Sequence, residues 1–146
     1  MSAVSRPDDA IHRHAFVVSE EVIDRNGHVN NVVYVQWMQD VAVRHSDATG
    51  GTQAARDAGG TWVVRTHRIE YLRPALAGDQ IEAQTWVSDF RRAASLRKYR
   101  FVRQPGGELL ARGETDWVFI GLEDGRPRAI PNEVAARFPL RPPGEE

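Results

Sequence analysis

A polar, turn-forming octet at residues 24–31 runs directly into the only long helical segment that the sequence predicts. The Asn-Gly pair at positions 26–27 tolerates positive φ, so we expect a sharp turn there. Asn30 and Asn31 are both suitable N-cap residues for the apolar run that follows them. The helix is predicted over residues 31–48, and the rest of the fold has to be built around it.

The first turn of this helix is an electropositive, donor-rich end that lies next to two reactive side chains. Its backbone N–H groups have no intrahelical partners, and the helix dipole is positive at this end. We expect it to hold an oxygen that carries developing negative charge, within reach of the Asp24 carboxylate and the His28 imidazole. The octet therefore has the outline of a hydrolytic site.

Apolar side chains cover most of the predicted helix. Its polar positions fall on one stripe at helical spacing, namely Gln36, Gln39, Asp40 and Asp47. A helix that is apolar over so much of its girth is expected to be largely enclosed by other structure. Its many valines are poor helix formers, so tertiary packing rather than propensity must hold it.

The remaining regular segments are mostly strand-like. Strands are predicted at residues 12–22, 61–72, 80–89, 94–103 and 108–120, with short helices at 52–58 and 132–137. Apolar and charged residues alternate most clearly in the last strand, which indicates an antiparallel sheet packed on one side only. The predicted fold is therefore α+β, a curved antiparallel sheet of about five strands wrapped around one long central helix.

The chain length predicts one domain. At 146 residues the chain falls within the usual size of a single domain. We predict a disordered N-terminal segment at residues 1–10, a single domain at 11–138 and a loose C-terminal tail at 139–146. The N-terminus lacks the apolar core of a secretory signal, which predicts a cytoplasmic protein.

Charge and composition argue against several classes of function. Lys+Arg 19 against Asp+Glu 20 gives a formal net charge of −1, which disfavours a nucleic-acid partner. No apolar run approaches the roughly 18–20 residues that a membrane span needs. The chain has no cysteine, so disulfides, thiolate metal sites and a cysteine nucleophile are excluded. No H-E-x-x-H motif or carboxylate cluster is present, and we expect no metal site.

The octet also resembles a known family signature. Residues 24–34 read Asp-x-x-Gly-His-Val-Asn-Asn-x-x-Tyr, which is similar to the motif of hot-dog-fold acyl-CoA thioesterases of the 4-hydroxybenzoyl-CoA thioesterase class. Residues 71–75, followed by Gly78-Asp79, resemble the second recurring segment of that family. The resemblance implies hydrolysis of an acyl thioester to a carboxylic acid and free coenzyme A. Coenzyme A then arrives as part of the substrate, and no cofactor is required.

The same resemblance implies an oligomer and catalytic roles. Hot-dog proteins pair edge strands across a two-fold axis, which implies a homodimer or a dimer of dimers with sites at the interface. Asp24 is then the catalytic carboxylate, either as a nucleophile or as a base that activates water. The backbone amide of Asn31 faces the thioester carbonyl oxygen. His28 assists proton transfer, orients the substrate, or only hydrogen-bonds the turn.

The predicted substrate contacts are drawn from the octet, the helix and the strands. They are Gly27, Asn30, Tyr34, Thr66, Arg91, Arg92 and Ser95. Paired arginines suit the phosphate oxygens of coenzyme A, although solvated turn charges are their commoner role. Glycine permits close backbone approach, and Tyr34 lines an acyl pocket or is plain core.

Two other functions remain open at this stage. A hot-dog hydratase or dehydratase acting on acyl thioesters would need a catalytic histidine together with an acid on the helix. His28 precedes the helix and Asp40 lies on its polar stripe, which disfavours that function. A non-catalytic acyl-CoA-binding module would keep the pocket without turnover.

Overall fold

The computed structural model describes residues 10–143. Its helices and strands, in chain order, are β1 (His12–Val17), α1 (Asn31–Thr49), α2 (Gly51–Asp57), β2 (Gly60–Tyr71), β3 (Gln80–Val87), β4 (Ala94–Gln104), β5 (Glu108–Gly121) and α3 (Asn132–Ala135). A 3-10 turn at Glu20–Val22 takes the place of the end of the first predicted strand. Every element predicted from the sequence is otherwise present, with ends shifted by one or two residues.

The strands form one antiparallel sheet in the order β1-β3-β4-β5-β2. The predicted α+β architecture of five strands and one long helix is therefore confirmed. The two edges of the sheet differ in length, because β1 has 6 residues and β2 has 12. No helix among residues 10–143 is long and apolar enough to cross a membrane.

One face of α1 packs against the sheet and forms the core. Its buried side chains are Tyr34, Met38, Val41, Ala42 and His45, which meet Ile81, Ala83, Tyr99, Phe101 and Ala111 of the sheet. The prediction that the helix is enclosed around most of its girth is wrong for the single chain. Val32 is 69% exposed and Val43 is 53% exposed, because the sheet covers only one side of α1.

The C-terminal segment is tied to the sheet at two residues. Leu140 forms a parallel bridge with Val87, and the Arg141 amide donates to the Val87 carbonyl oxygen at 2.9 Å. The prediction of a loose tail from residue 139 does not hold at these two positions, because they extend the sheet beyond the start of β1. Of the predicted disordered segment, residues 1–9 lie outside the described part of the chain.

Met38 of α1 packs tightly against Gly113 of β5. A Cβ added there would lie 2.9 Å from the Arg68 carbonyl oxygen and 3.1 Å from the terminal methyl carbon of Met38. Met38 is fully buried, so its side chain cannot move away from an added Cβ into open space. Glycine at this position therefore sets the depth at which the helix sits.

We expect Gly113→Ala to lower the free energy of unfolding by about 1–3 kcal/mol, because overpacking forces the helix or the strand to move. Gly106→Ala is the matched control, since a Cβ there meets nothing within 4 Å. Urea unfolding of both variants measures the difference. Equal stability of the two variants would contradict the close packing of α1 on β5.

Candidate active site

The octet before α1 folds into a closed loop. The Asp24 amide donates to the His28 carbonyl oxygen at 2.8 Å, and the Gly27 amide donates to the Asp24 carbonyl oxygen at 3.0 Å. Gly27 has φ +78°, which is the sharp turn that the Asn-Gly pair predicted. A Cβ at Gly27 would meet nothing within 4 Å, so the outer side of this turn is open.

Two backbone hydrogen bonds connect this loop to the rest of the protein. The Val29 amide donates to the Ala75 carbonyl oxygen, and the Asn30 amide donates to the Val22 carbonyl oxygen, each at 2.9 Å. Val29 itself is 3% exposed and packs into the main core. The loop is therefore held by its neighbours on both sides, and the side chains that it carries have a fixed base.

Asp24 is half-buried on this loop and makes the contact expected of a turn-capping aspartate. Its Oδ1 accepts a hydrogen bond from the Asn26 amide at 2.9 Å. The other carboxylate oxygen, Oδ2, has no hydrogen bond within residues 10–143. The turn therefore orients the carboxylate and leaves one of its oxygens available to a ligand.

The helix start separates the roles of the two neighbouring asparagines. Asn30 is the N-cap, because its side-chain oxygen accepts from the Val32 amide at 3.0 Å. Asn31 is the first helical residue, and its carbonyl oxygen accepts the Tyr71 hydroxyl at 2.8 Å. No group of the described chain accepts a hydrogen bond from the Asn31 amide. That amide is the donor which the family resemblance places against a thioester carbonyl.

His28 and Tyr34, the other two predicted residues near the helix start, have different surroundings. His28 is exposed, and its imidazole makes no hydrogen bond within the described residues. Tyr34 is 3% exposed and packs edge-on against Tyr71 and Phe101, so it is a core aromatic rather than a pocket wall. Burial raises the pKa of Tyr34 to about 12, with a further increase from Tyr71.

The remaining predicted contacts do not lie near Asp24 within one chain. Tyr34, at the start of α1, packs on Phe101 near the end of β4. Ser95 is six residues earlier on β4, which corresponds to about 20 Å along the strand. The Ser95 hydroxyl donates to the Asp89 carbonyl oxygen at 2.8 Å. Arg91 and Arg92 are exposed in the turn just before this end of β4.

The arginine and threonine predictions are partly corrected by the contacts that these residues make. Arg91 forms ion pairs with Asp116 and Asp89, so its charge is already engaged within the chain. Thr66 was expected on the strand face toward the site, but it pairs with Asp116 on the other face. A β-bulge between Val64 and Thr66 shifts the register by one residue and reverses which side chains face the helix.

A cavity of about 270 Å³ lies at the other end of α1. Its lining residues come from α1, α2 and the strands, together with two phenylalanines that lie outside these elements. They are Ala42, Val43, Ser46, Thr52, Ala55, Arg56, Thr61, Trp62, Val87, Phe90, Ser95, Arg97, Trp117 and Phe138. Of these, only Ser95 had been predicted as a contact. Arg97 was missed, although it alternates with Tyr99 and Phe101 and so had to face the core.

Arg97 is a buried polar residue in the lining of this cavity, and His45 lies behind it. Arg97 is 6% exposed, and its Nη1 donates to His45 Nδ1 at 2.8 Å and to Thr85 Oγ1 at 3.1 Å. Because a guanidinium only donates, His45 Nδ1 must accept, and the ring is neutral with its proton on Nε2. Burial, helped by the charge of Arg97 and by His12, lowers the pKa of His45 to about 3.

The family of the chain follows from comparison with known proteins. A model of the thioesterase-like superfamily matches residues 17–138. The chain belongs to the thioesterase-like superfamily. This assignment stops at the superfamily, and the 4-hydroxybenzoyl-CoA class within it stays a prediction.

Relatives and solved structures agree with this assignment. The chloroplastic acyl-carrier-protein hydrolase FATB3 of Cuphea viscosissima is 27% identical over 136 residues, which cover 87% of this chain but only 32% of that protein. An acyl-ACP thioesterase from Bacteroides thetaiotaomicron has a TM-score of 0.81 at 21% identity, covering 86% of this chain and 52% of the other.

The 1,4-dihydroxy-2-naphthoyl-CoA thioesterase Slr0204 of Synechocystis superposes with a TM-score of 0.77 at 17% identity. The matched region covers 87% of this chain and 94% of that one. The chain thus spans about a third of the curated relative and nearly all of this smaller structure. The hot-dog fold that the sequence motif predicted is confirmed.

The assignment of Asn30 as the N-cap can be tested by comparing the stability of variants at Asn30 and Asn31. Asn30→Ala should lower the free energy of unfolding by about 1 kcal/mol, because the Val32 amide loses its acceptor. Asn31→Ala should change it by less than about 0.5 kcal/mol, since only its backbone is used. Urea unfolding of both variants measures the difference, and a larger loss for Asn31→Ala would contradict the assignment of the cap.

Because His45 is buried and neutral, we expect the folded protein to lose stability in mild acid. An unfolded histidine takes up a proton below its ordinary pKa of 6.5, whereas folded His45 does so only near pH 3. The unfolded chain therefore binds more protons between these values, and the free energy of unfolding falls as the pH is lowered through 6.5.

His45→Gln removes this proton uptake and keeps an acceptor for Arg97. Between about pH 7.5 and pH 5, the wild type should lose about 2 kcal/mol more than this variant, at about 1.4 kcal/mol per pH unit below 6.5. Urea unfolding at the two pH values gives both losses. Equal losses in the two proteins would show that His45 is not held neutral by the fold.

Proposed function

We propose that this protein is an acyl-CoA thioesterase of the 4-hydroxybenzoyl-CoA class, which converts an acyl thioester and water into a carboxylic acid and the coenzyme A thiol. One observation carries the proposal: the oriented carboxylate of Asp24 lies on the loop that leads into a helix start whose first amide has no acceptor within residues 10–143. Membership of the thioesterase-like superfamily supports it.

The helix start supplies electrostatic stabilisation in this mechanism. The Asn31 amide donates to the thioester carbonyl oxygen, which becomes negatively charged as the carbonyl carbon is attacked. One such donor contributes about 3 kcal/mol to the transition state, and the positive end of the α1 dipole adds to it. The amide belongs to the backbone, so the geometry of the loop rather than the identity of residue 31 fixes it.

Asp24 acts on the carbonyl carbon in one of two ways. As a base, it takes a proton from a water molecule, whose oxygen forms the new bond to carbon. As a nucleophile, it forms a mixed anhydride that water then hydrolyses. In both routes the carbon–sulfur bond breaks, and the thiolate leaves and takes up a proton. His28, exposed on the same loop, is available to hydrogen-bond the substrate.

The long outer edge of β2, which pairs with no strand in the described part of the chain, supports a homodimer in which this site is shared. Tyr71, at the end of β2, holds the start of α1 through Asn31, while Thr61 and Trp62, at the beginning of β2, line the cavity. Antiparallel pairing of β2 with its copy brings the end of one strand next to the beginning of the other. Asp24 of one protomer then faces the cavity of its partner.

Coenzyme A is the proposed carrier because two solved structures that share this fold involve it. One is the 1,4-dihydroxy-2-naphthoyl-CoA thioesterase of Synechocystis, and the other is the Staphylococcus aureus protein SAV2348 in complex with CoA. Arg92 is exposed beside the cavity end of the sheet and is the better of the two predicted phosphate contacts, since Arg91 already pairs with carboxylates. A cytoplasmic location remains a prediction.

Replacing Asp24 tests the reaction. Asp24→Asn should lower thiol release from acyl-CoA substrates by about 10²–10⁴-fold, because it removes the base or nucleophile and keeps the shape of the side chain. Thiol release is followed with a thiol reagent over a panel of acyl-CoAs.

Asp40→Asn is the matched control, since Asp40 is an exposed acid on α1 that only the hydratase alternative would use. It should hydrolyse the panel at the wild-type rate. Full activity in Asp24→Asn, or loss of activity in Asp40→Asn alone, would contradict the proposed mechanism.

A further inference from the structure

Arg97 is a buried cation for which the described chain provides no counter-ion. No Asp or Glu carboxylate of residues 10–143 forms an ion pair with it, and its only hydrogen-bonded partners are His45 and Thr85. Arginines elsewhere on the sheet do have carboxylate partners, for example Arg13 with Glu82 at 2.9 Å. The Arg97 guanidinium lies 5.7 Å from the centroid of the Phe138 ring, which offsets part of the cost of burying it but supplies no negative charge.

Arg97 has hydrogen-bond donors left over beside a largely apolar cavity. Arg97 has five N–H groups, and its recorded partners occupy only Nη1. Trp117 also lines the cavity, and its buried Nε1–H makes no well-aligned hydrogen bond within the described residues, although the Tyr99 hydroxyl lies near it. Most of the other walls are apolar, including Ala42, Val87 and Phe138. This combination fits a ligand with an apolar body and an anionic, hydrogen-bond-accepting end.

The position of Arg97 in the sheet indicates how far the anionic end of such a ligand would lie from the proposed reaction centre. The cavity runs from Trp62 on the edge strand β2, past Trp117 on β5, to Arg97 on β4. Two strand spacings separate the edge from Arg97, or about 10 Å. A thioester placed at the β2 edge would therefore have the far end of a short acyl chain beside the guanidinium. At about 270 Å³ the cavity is smaller than most ligand sites, which favours a small acyl group.

We propose that the Arg97 cavity binds the free carboxylate of a small dicarboxylic acid, so that the preferred substrate is the mono-thioester of such an acid with coenzyme A. The statement about the substrate rests on the proposed thioesterase function. The carboxylate accepts hydrogen bonds from Arg97 and Trp117, and its charge offsets the cost of burying the guanidinium. His45 stays neutral and holds Arg97 in place through Nδ1.

Hydrolysis of matched substrates tests this specificity. Glutaryl-CoA and pentanoyl-CoA have the same chain length and differ in the terminal carboxylate. The wild type should have a kcat/KM roughly 10- to 100-fold higher for glutaryl-CoA, the range expected for hydrogen bonds to a charged group. Arg97→Met should lose this preference chiefly through glutaryl-CoA, and Arg97→Lys should recover part of it. Arg13→Met, which removes an arginine from the outer face of the sheet, should keep the wild-type preference.

Binding without turnover separates the two proposals. Calorimetric titration with free glutarate should show binding to the wild type and none to Arg97→Met, while pentanoate binds more weakly to the wild type. If no thioester is hydrolysed but glutarate binding depends on Arg97, the carboxylate site stands and the thioesterase proposal fails.

If glutaryl-CoA and pentanoyl-CoA are hydrolysed equally well by the wild type, the carboxylate site is overturned and the thioesterase proposal stands. This comparison uses only the wild-type protein, so it decides the matter even if Arg97→Met does not fold. Circular dichroism spectra establish whether the variants are folded.

Discussion

The length of α1 determines how a site can be assembled on this protein. The helix has 19 residues, so its two ends are about 28 Å apart. The loop that carries Asp24 precedes one end, and the cavity with Arg97 lies toward the other. A single chain cannot bring these two parts to the same thioester. The antiparallel edge of β2 offers a way to do so, because it would place unlike ends of two helices side by side.

Backbone hydrogen bonds, rather than charged side chains, hold the start of α1 and the loop before it in place. Hydrogen bonds to Val22 and Ala75 hold the loop on both sides, and the Asn30 side chain caps the helix. Below it, Met38 rests on Gly113 and fixes the height of α1 above the sheet. These contacts hold both the loop that carries Asp24 and the helix start at Asn31. Packing of the helix is thus directly connected to the geometry of the proposed reaction.

Much of the fold could be predicted from the sequence, because local rules determine it. The Asn-Gly turn, the apolar run after Asn31 and the period-two strands each indicate one structure, and the motif specifies the fold. The side-chain contacts depended on features that alternation does not reveal. A single bulge between Val64 and Thr66 was enough to move Thr66 to the opposite face. The choice between Asn30 and Asn31 as cap required the geometry itself.

The cavity shows a different limit of sequence reasoning. Arg97 shares a face of β4 with the buried Tyr99 and Phe101, but sequence analysis did not single it out. The importance of Arg97 follows from the absence of a carboxylate partner among residues 10–143. Only the three-dimensional contacts establish that absence. A buried cation beside an apolar cavity and a motif at a helix start lie far apart in one chain. In the proposed homodimer, pairing of the edge strands would connect them.

Mixing two inactive variants tests directly whether one site is built from two protomers. Asp24→Asn lacks the carboxylate, and Val43→Trp fills the cavity from an exposed position on its rim. Each variant alone should be inactive. After unfolding and refolding together in equal amounts, half of the dimers are hybrids with one intact site, so activity should return to about one quarter of the wild-type value. If the mixture stays inactive although hybrid dimers form, then Asp24 does not act on a substrate held in the partner's cavity.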